Sequence, residues 1–226
     1  MSSTKQRLGQ SWALSFSLLA CLVLGQAALA QEESPDEPLV TDRPDFTEAS
    51  STVGRGRVQL ESGYTFFYDD HAGEIVRSHS YPEALWRIGS TDDIEFRIAW
   101  SYLAEKTNDA PTVDGALDLY LGTKLFCWEQ AGLLPEAAVI LQMTAPTGAA
   151  AFSADDVLYG INVLYSWELG GGWALGASSG ANTGNEFIEF EGLLPPNQDG
   201  HATLHQSVSL GIPLAGRFNA YIEYFG

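Results

Sequence analysis

The residues able to do chemistry are few and scattered. His201 and His205 stand four apart, a spacing that on a helix would bring two imidazoles to one metal ion. On an extended chain the same pair points one way but lies about 13 Å apart, too far to share an ion. His71 and His79 are isolated from them. Ser207 and Ser209 follow at alternate positions, so a serine–histidine pairing across strands stays open as a nucleophile arrangement. No Walker-type phosphate loop is present. Beyond the first thirty residues the one thiol is Cys127, which excludes an internal disulfide there. It alternates with Leu121, Thr123 and Leu125 and reads as a small apolar strand residue. The expectation is a protein that is not an enzyme, with no metal centre and no cofactor.

Charged side chains recur instead at every second position of apolar segments. Ile94, Phe96, Ile98, Trp100 and Tyr102 share one side of an extended chain, and Glu95, Arg97, Ala99 and Ser101 share the other. Asp118, Gly122 and Lys124 alternate with leucines in the same way, and Asn162, Ser166 and Glu168 alternate with Ile161, Val163 and Trp167. Two folds produce such strands. A soluble sandwich buries the oily side between sheets; an outer-membrane barrel turns it to lipid and encloses the polar side. In a barrel, Arg87, Glu95, Arg97, Asp118, Lys124, Asn162 and Glu168 would line a path for solute.

The elements that carry these residues favour the barrel. Nine alternating segments are expected, near 55–68, 75–88, 93–104, 115–128, 135–145, 156–169, 172–183, 201–213 and 217–225. Most hold their pattern for about ten residues, the length of a tilted membrane strand, whereas ordinary strands run to about five or six. The connections "GSTD" (89–92), "GGG" (170–172) and "AGR" (215–217) are tight. Those at 69–74, 105–115, 146–156 and 184–200 are longer, and short turns on one side with long loops on the other is the outer-membrane pattern. Aromatic residues gather near strand ends on the apolar face. Tyr159 and Trp167, with Tyr165 between them, are about 26 Å apart along the strand. A tilt near 40° brings that to about 20 Å along the normal, close to the spacing of two interfacial girdles. Tyr64, Phe66, Tyr68, Trp100 and Tyr102 would form the belt on the loop side, and Trp86, Trp128 and Trp173 the belt on the turn side.

The N-terminus reads as an export signal. Lys5 and Arg7 precede an apolar run from Trp12 to Leu24, and Ala28-Leu29-Ala30 suits cleavage before Gln31. Lipoprotein processing at Cys21 is the alternative, disfavoured because the apolar run continues past it. Loss of residues 1–30 moves the net charge from −18 to −20, which disfavours nucleic acid as a partner. Residues 31–54 form an acidic, Pro-bearing leader, and 55–226 the barrel. Acidic residues on the long-loop side, such as Asp69, Asp70, Glu74 and Asp114, would bridge divalent cations to lipid phosphates or make a solvated rim. Nine strands is an odd count, and the chain stops at "NAYIEYFG" where a long loop should begin. The expectation is a fragment lacking about three strands.

Residues 41–66, "TDRPDFTEASSTVGRGRVQLESGYTF", resemble the N-terminal signature of the outer-membrane transporter family named for the meta pathway of phenol degradation. Its motif residues here are Thr41, Asp42, Arg43, Pro44, Asp45 and Glu48. "TAPTG" (144–148) and "NAYIEYFG" (219–226) resemble further family stretches. The resemblance implies an antiparallel transmembrane β-barrel of about a dozen strands in a Gram-negative outer membrane. It also implies passage of small, often hydrophobic or aromatic, compounds, with membrane lipids and a small solute as partners. The alternative function is a non-transporting barrel that anchors structure or binds at the surface through the 184–200 loop. Pro44 denies a ladder hydrogen bond, so the leader should enter the barrel base without starting a central strand. Asp42, Arg43, Asp45 and Glu48 would either pair with Arg87, Arg97 or Lys124 inside, or lie in a solvated tail.

Overall fold

The computed structural model describes residues 40–42, 47–71, 73–183, 202–214 and 218–226. They form eleven strands and no helix: β1 Val58–Glu61, β2 Thr65–His71, β3 Glu74–Gly89, β4 Ile94–Thr107, β5 Val113–Ala116, β6 Leu119–Trp128, β7 Glu136–Ala145, β8 Leu158–Gly170, β9 Trp173–Thr183, β10 Ala202–Pro213 and β11 Asn219–Phe225. All pair antiparallel in one sheet, β1-β3-β4-β6-β7-β8-β9-β10-β11, with β2 also on β3 and β5 also on β4. Among the described residues no ladder joins β1 or β2 to β11.

The sandwich reading fails on burial. Arg87, Glu95 and Lys124 are 0 % exposed, while Phe96 is 46 % and Trp100 41 % exposed. The charged face of the sheet is the buried one, and the apolar face lies open. Apolar residues also lie buried, as at Ala138, Ile140 and Leu164.

The nine expected segments become nine staves, two of them broken. The first divides into β1 and β2, both on β3. Pro82 has no amide proton for a ladder, and β3 shifts register between Tyr81 and Ala84; Glu83 N donates instead to Gly63 O at 3.0 Å, in the gap between the two short strands. The stave near 115–128 divides at Leu117 and Asp118, leaving β5 and β6 on β4. A second register shift, between Phe126 and Trp128, leaves Cys127 as the extra residue and exposed. It is therefore a bulge residue, since the register slip removes it from the alternation seen in the sequence.

Strand ends also move. Asp69, Asp70 and His71 pair with Val76, Ile75 and Glu74, so the expected long loop at 69–74 is the tip of a tight hairpin. β4 likewise runs on to Thr107. Backbone pairing continues past the apolar stretch, which is why alternation alone ended these strands early. The β8–β9 turn holds Gly170, Gly171 and Gly172 at φ of 81°, 61° and 84°, left-handed values that a side chain would strain. The expected loop 184–200, His201 and the turn 215–217 lie outside the described residues.

Register aligns the inward residues in rungs. One runs Arg87–Arg97–Gly122–Gln142–Gly160–Asn182 across β3, β4, β6, β7, β8 and β9. The next carries Glu95, Lys124, Ile140, Asn162, Gly180 and His205. Charge is thus concentrated at one side of the buried face and gives way to amides and glycines at the other.

Candidate functional site

The charged side of these rungs meets the leader. Arg97 Nη1 donates to Asp42 Oδ2 at 2.6 Å, and its Nη2 pairs with Glu48. The same Asp42 oxygen lies 3.3 Å from Arg87 Nη1 and 3.2 Å from Lys124 Nζ. Glu95 takes both nitrogens of the Arg87 fork, Nε at 2.8 Å and Nη2 at 3.0 Å, in the bidentate geometry that suits guanidinium to carboxylate. Glu61 completes the group, with Oε1 3.2 Å from Arg87 Nη1. Three cations and four carboxylates thus lie together, all nearly sealed from solvent.

Backbone bonds fasten the leader further. Lys124 Nζ donates to Ala49 O at 2.7 Å, Arg87 Nη2 to Ser51 O at 3.3 Å, and Glu95 accepts from Val53 N at 2.9 Å. The segment then spans the sheet. Thr47 N donates to Glu223 on β11 at 2.6 Å, and Thr47 Oγ1 to Ser207 on β10 at 2.7 Å. Ser50 Oγ reaches Glu136 on β7 and Ser166 on β8, at 2.5 and 2.8 Å. Thr52 Oγ1 donates to Asp92 O in the β3–β4 turn. Residues 47–53 therefore lie across the buried face toward the end with short connections. Burial alone would raise the Asp42 carboxyl, but Lys124, Arg97 and Arg87 outweigh it and hold it well below the usual carboxylate range.

Of the two readings of the leader, the paired one is what Asp42 and Glu48 adopt; Arg43, Pro44 and Asp45 lie outside the described residues, and Thr41 is exposed. The solute-path residues divide into four groups. Arg87, Glu95, Arg97 and Lys124 hold the leader, so they do not face an open bore. Asp118 is buried and binds the β7–β8 connection through Gly148 N and Ala154 N. Asn162 is buried on the uncharged side, and Glu168 is exposed beside Gln130 at a strand end. Sequence reasoning missed the residues that continue the polar wall: Tyr120 Oη donates to Gln142 Oε1 at 3.1 Å, and Gln142 Nε2 to Asn182 Oδ1 at 3.0 Å. Their signal was inward parity on staves already recognised.

The aromatic set lies on the other face. Tyr64, Phe66, Tyr68, Trp86, Trp100, Trp128, Tyr159 and Trp173 are exposed, and Tyr102, Tyr165 and Trp167 are half-buried. The Trp128 and Trp167 indoles donate to Pro135 O and Leu133 O, so both sit at the 129–135 turn.

The arrangement holds the leader segment in place. Residues 176–180 spell Gly-x-Ser-x-Gly, a pattern that serves a nucleophile only on a strand-to-helix turn. Here it runs straight through β9, and Ser178 is buried against Ser207 at 2.7 Å. Among the described residues no three His, Cys, Asp or Glu side chains gather as they would round a metal ion.

An all-β antiparallel sheet with a charged, leader-filled inner face and an apolar outer face defines the class. Residues 41–226 match the family described as the MetA-pathway of phenol degradation, and the chain belongs to that family. The match begins at Thr41, where the leader motif begins. No curated protein and no solved structure matches the chain.

Proposed function

We infer that the chain is an outer-membrane β-barrel that passes small solutes, exported through a signal at residues 1–30, with membrane lipid around it and no catalytic role. The observation that carries this reading is the inversion of burial: Arg97 and Lys124 enclosed while Phe96, Ile98, Trp100, Leu141 and Ile161 are open. In water such an apolar surface would drive association; in a bilayer it is the face that belongs there. The neutral wall of Tyr120, Gln142, Asn162 and Asn182 supplies hydrogen-bonding groups without strong charge, a lining suited to neutral polar or aromatic solutes. The family's link to phenol degradation favours small aromatic compounds as the cargo.

The leader forms a floor across the short-turn end, which in an outer-membrane barrel faces the periplasm. That floor also favours the second reading, a barrel closed by its own N-terminal segment that anchors or binds without transporting. Swelling of liposomes loaded with the purified full-length protein separates the two. Graded uptake of small solutes is expected for the channel; no flux for any solute, from protein that shows heat-modifiable gel mobility, would leave the closed barrel.

A further inference from the structure

The connection from β7 to β8, residues 146–157, does not stand away from the sheet. Ala149 N donates to Ala116 O at 2.8 Å, and Thr147 Oγ1 accepts from Leu119 N at 3.0 Å. Phe152 N and Ser153 N both donate back to Ala149 O, closing a compact turn. At its centre is Asp118, 3 % exposed. Its Oδ1 accepts from Gly148 N at 2.7 Å, and its Oδ2 from Ala154 N at 2.9 Å and Ser153 Oγ at 3.2 Å. One carboxylate gathers both limbs of the loop.

The loop lies on the buried face of the sheet. Gly115, on β5, pairs with Leu103, and both are buried. A methyl group at Gly115 would fall 2.3 Å from Ala149 Cβ and 3.5 Å from the Phe152 ring. Glycine there lets the loop press against the wall, where any side chain would lift it away.

We propose that residues 146–157 form a constriction within the bore, fastened by Asp118, that sets the size of solute admitted. The proposal rests on the channel reading above. The part of the loop against the wall, Gly148–Phe152, carries only small side chains and one ring and narrows the passage by bulk, while the exposed Asp155 and Asp156 add negative charge at the loop's far limb.

The test compares the full-length wild type with Asp118→Ala and Gly115→Val in liposomes, following swelling with glycerol, a monosaccharide, a disaccharide and a trisaccharide. The two variants release the loop by different routes, one by removing its anchor and one by crowding its bed. Both are expected to raise the trisaccharide-to-glycerol rate ratio several-fold, and Asp118→Asn, which keeps an acceptor, to raise it less. Folded variants that pass solutes with the wild-type size profile would overturn the constriction while leaving the channel standing. No flux from any of the folded proteins would overturn the channel reading, and the constriction with it.

Discussion

Asp42 and Arg97 are 55 positions apart in the chain and 2.6 Å apart across the buried face of the sheet. Neither charge touches water. The pair is favourable only because its neighbours complete it: Glu48 and Glu95 on the arginine, Arg87 and Lys124 on the aspartate. Breaking one partner out of such a group strands the others without solvent.

Asp42→Asn should therefore destabilise the folded protein by about 3–5 kcal/mol, as expected for uncompensated buried charge. Adding Lys124→Met should restore part of the loss, because the two sites share one carboxylate oxygen and are not additive. Urea unfolding followed by gel mobility reads both. A double variant as unstable as the sum of the singles would mean that the network is not coupled.

Docking of the leader should resist acid. The Asp42 carboxyl is held below its ordinary value near 3.8 by Lys124, Arg97 and Arg87, against the effect of burial. A depressed folded value contributes stability in full above the unfolded one, and that stability is lost only as pH falls further, through the folded value. Proteolysis of residues 41–53 should consequently stay slow from pH 7 down to about 4 and quicken only below that. Release of the segment between pH 6 and 5 would point to another titrating group.

The open apolar face should reject charge. Ile98→Arg lies on the exposed side of β4, and its cost in a bilayer should be about 2–4 kcal/mol if the residue sits near mid-depth. Folding yield into vesicles measures it. Equal folding of Ile98→Arg and the wild type would remove the lipid-facing assignment.

Cys127 offers a test of orientation. It is exposed, close to the 129–135 turn at the short-connection end. A membrane-impermeant maleimide should leave it unmodified on intact cells and label it once the outer membrane is opened. Labelling on intact cells would invert the assigned topology.

The alternation in β4, β6 and β8 was legible directly, because inward and outward residues differ so sharply at Phe96 against Arg97 and Ile161 against Asn162. Parity did not reveal where it is interrupted. The segment 75–88 reads as one uninterrupted strand; the register shift beside Pro82 and the matching gap at Ser62 to Tyr64 depend on which strand lies alongside. Cys127 looked like one more member of an alternating row, and only pairing with β7 shows the slip. Arg87, Arg97 and Lys124 were recognisable as inward residues; their occupation by Asp42 and Glu48 was one of two open readings, since a contact between residues so distant in sequence leaves no local trace. Asp118 is buried, and its bonds to Gly148 and Ala154 depend on how a loop folds back, which no periodicity encodes.

The bond from Thr47 to Glu223 joins positions 176 apart. A segment that leaves the ribosome early must therefore wait, with its hydroxyl and amide unclaimed, until almost every later stave has arrived. Biogenesis cannot finish one hairpin at a time: the first part made is among the last to be seated, and whatever machinery delivers the sheet must keep its inner side accessible until then.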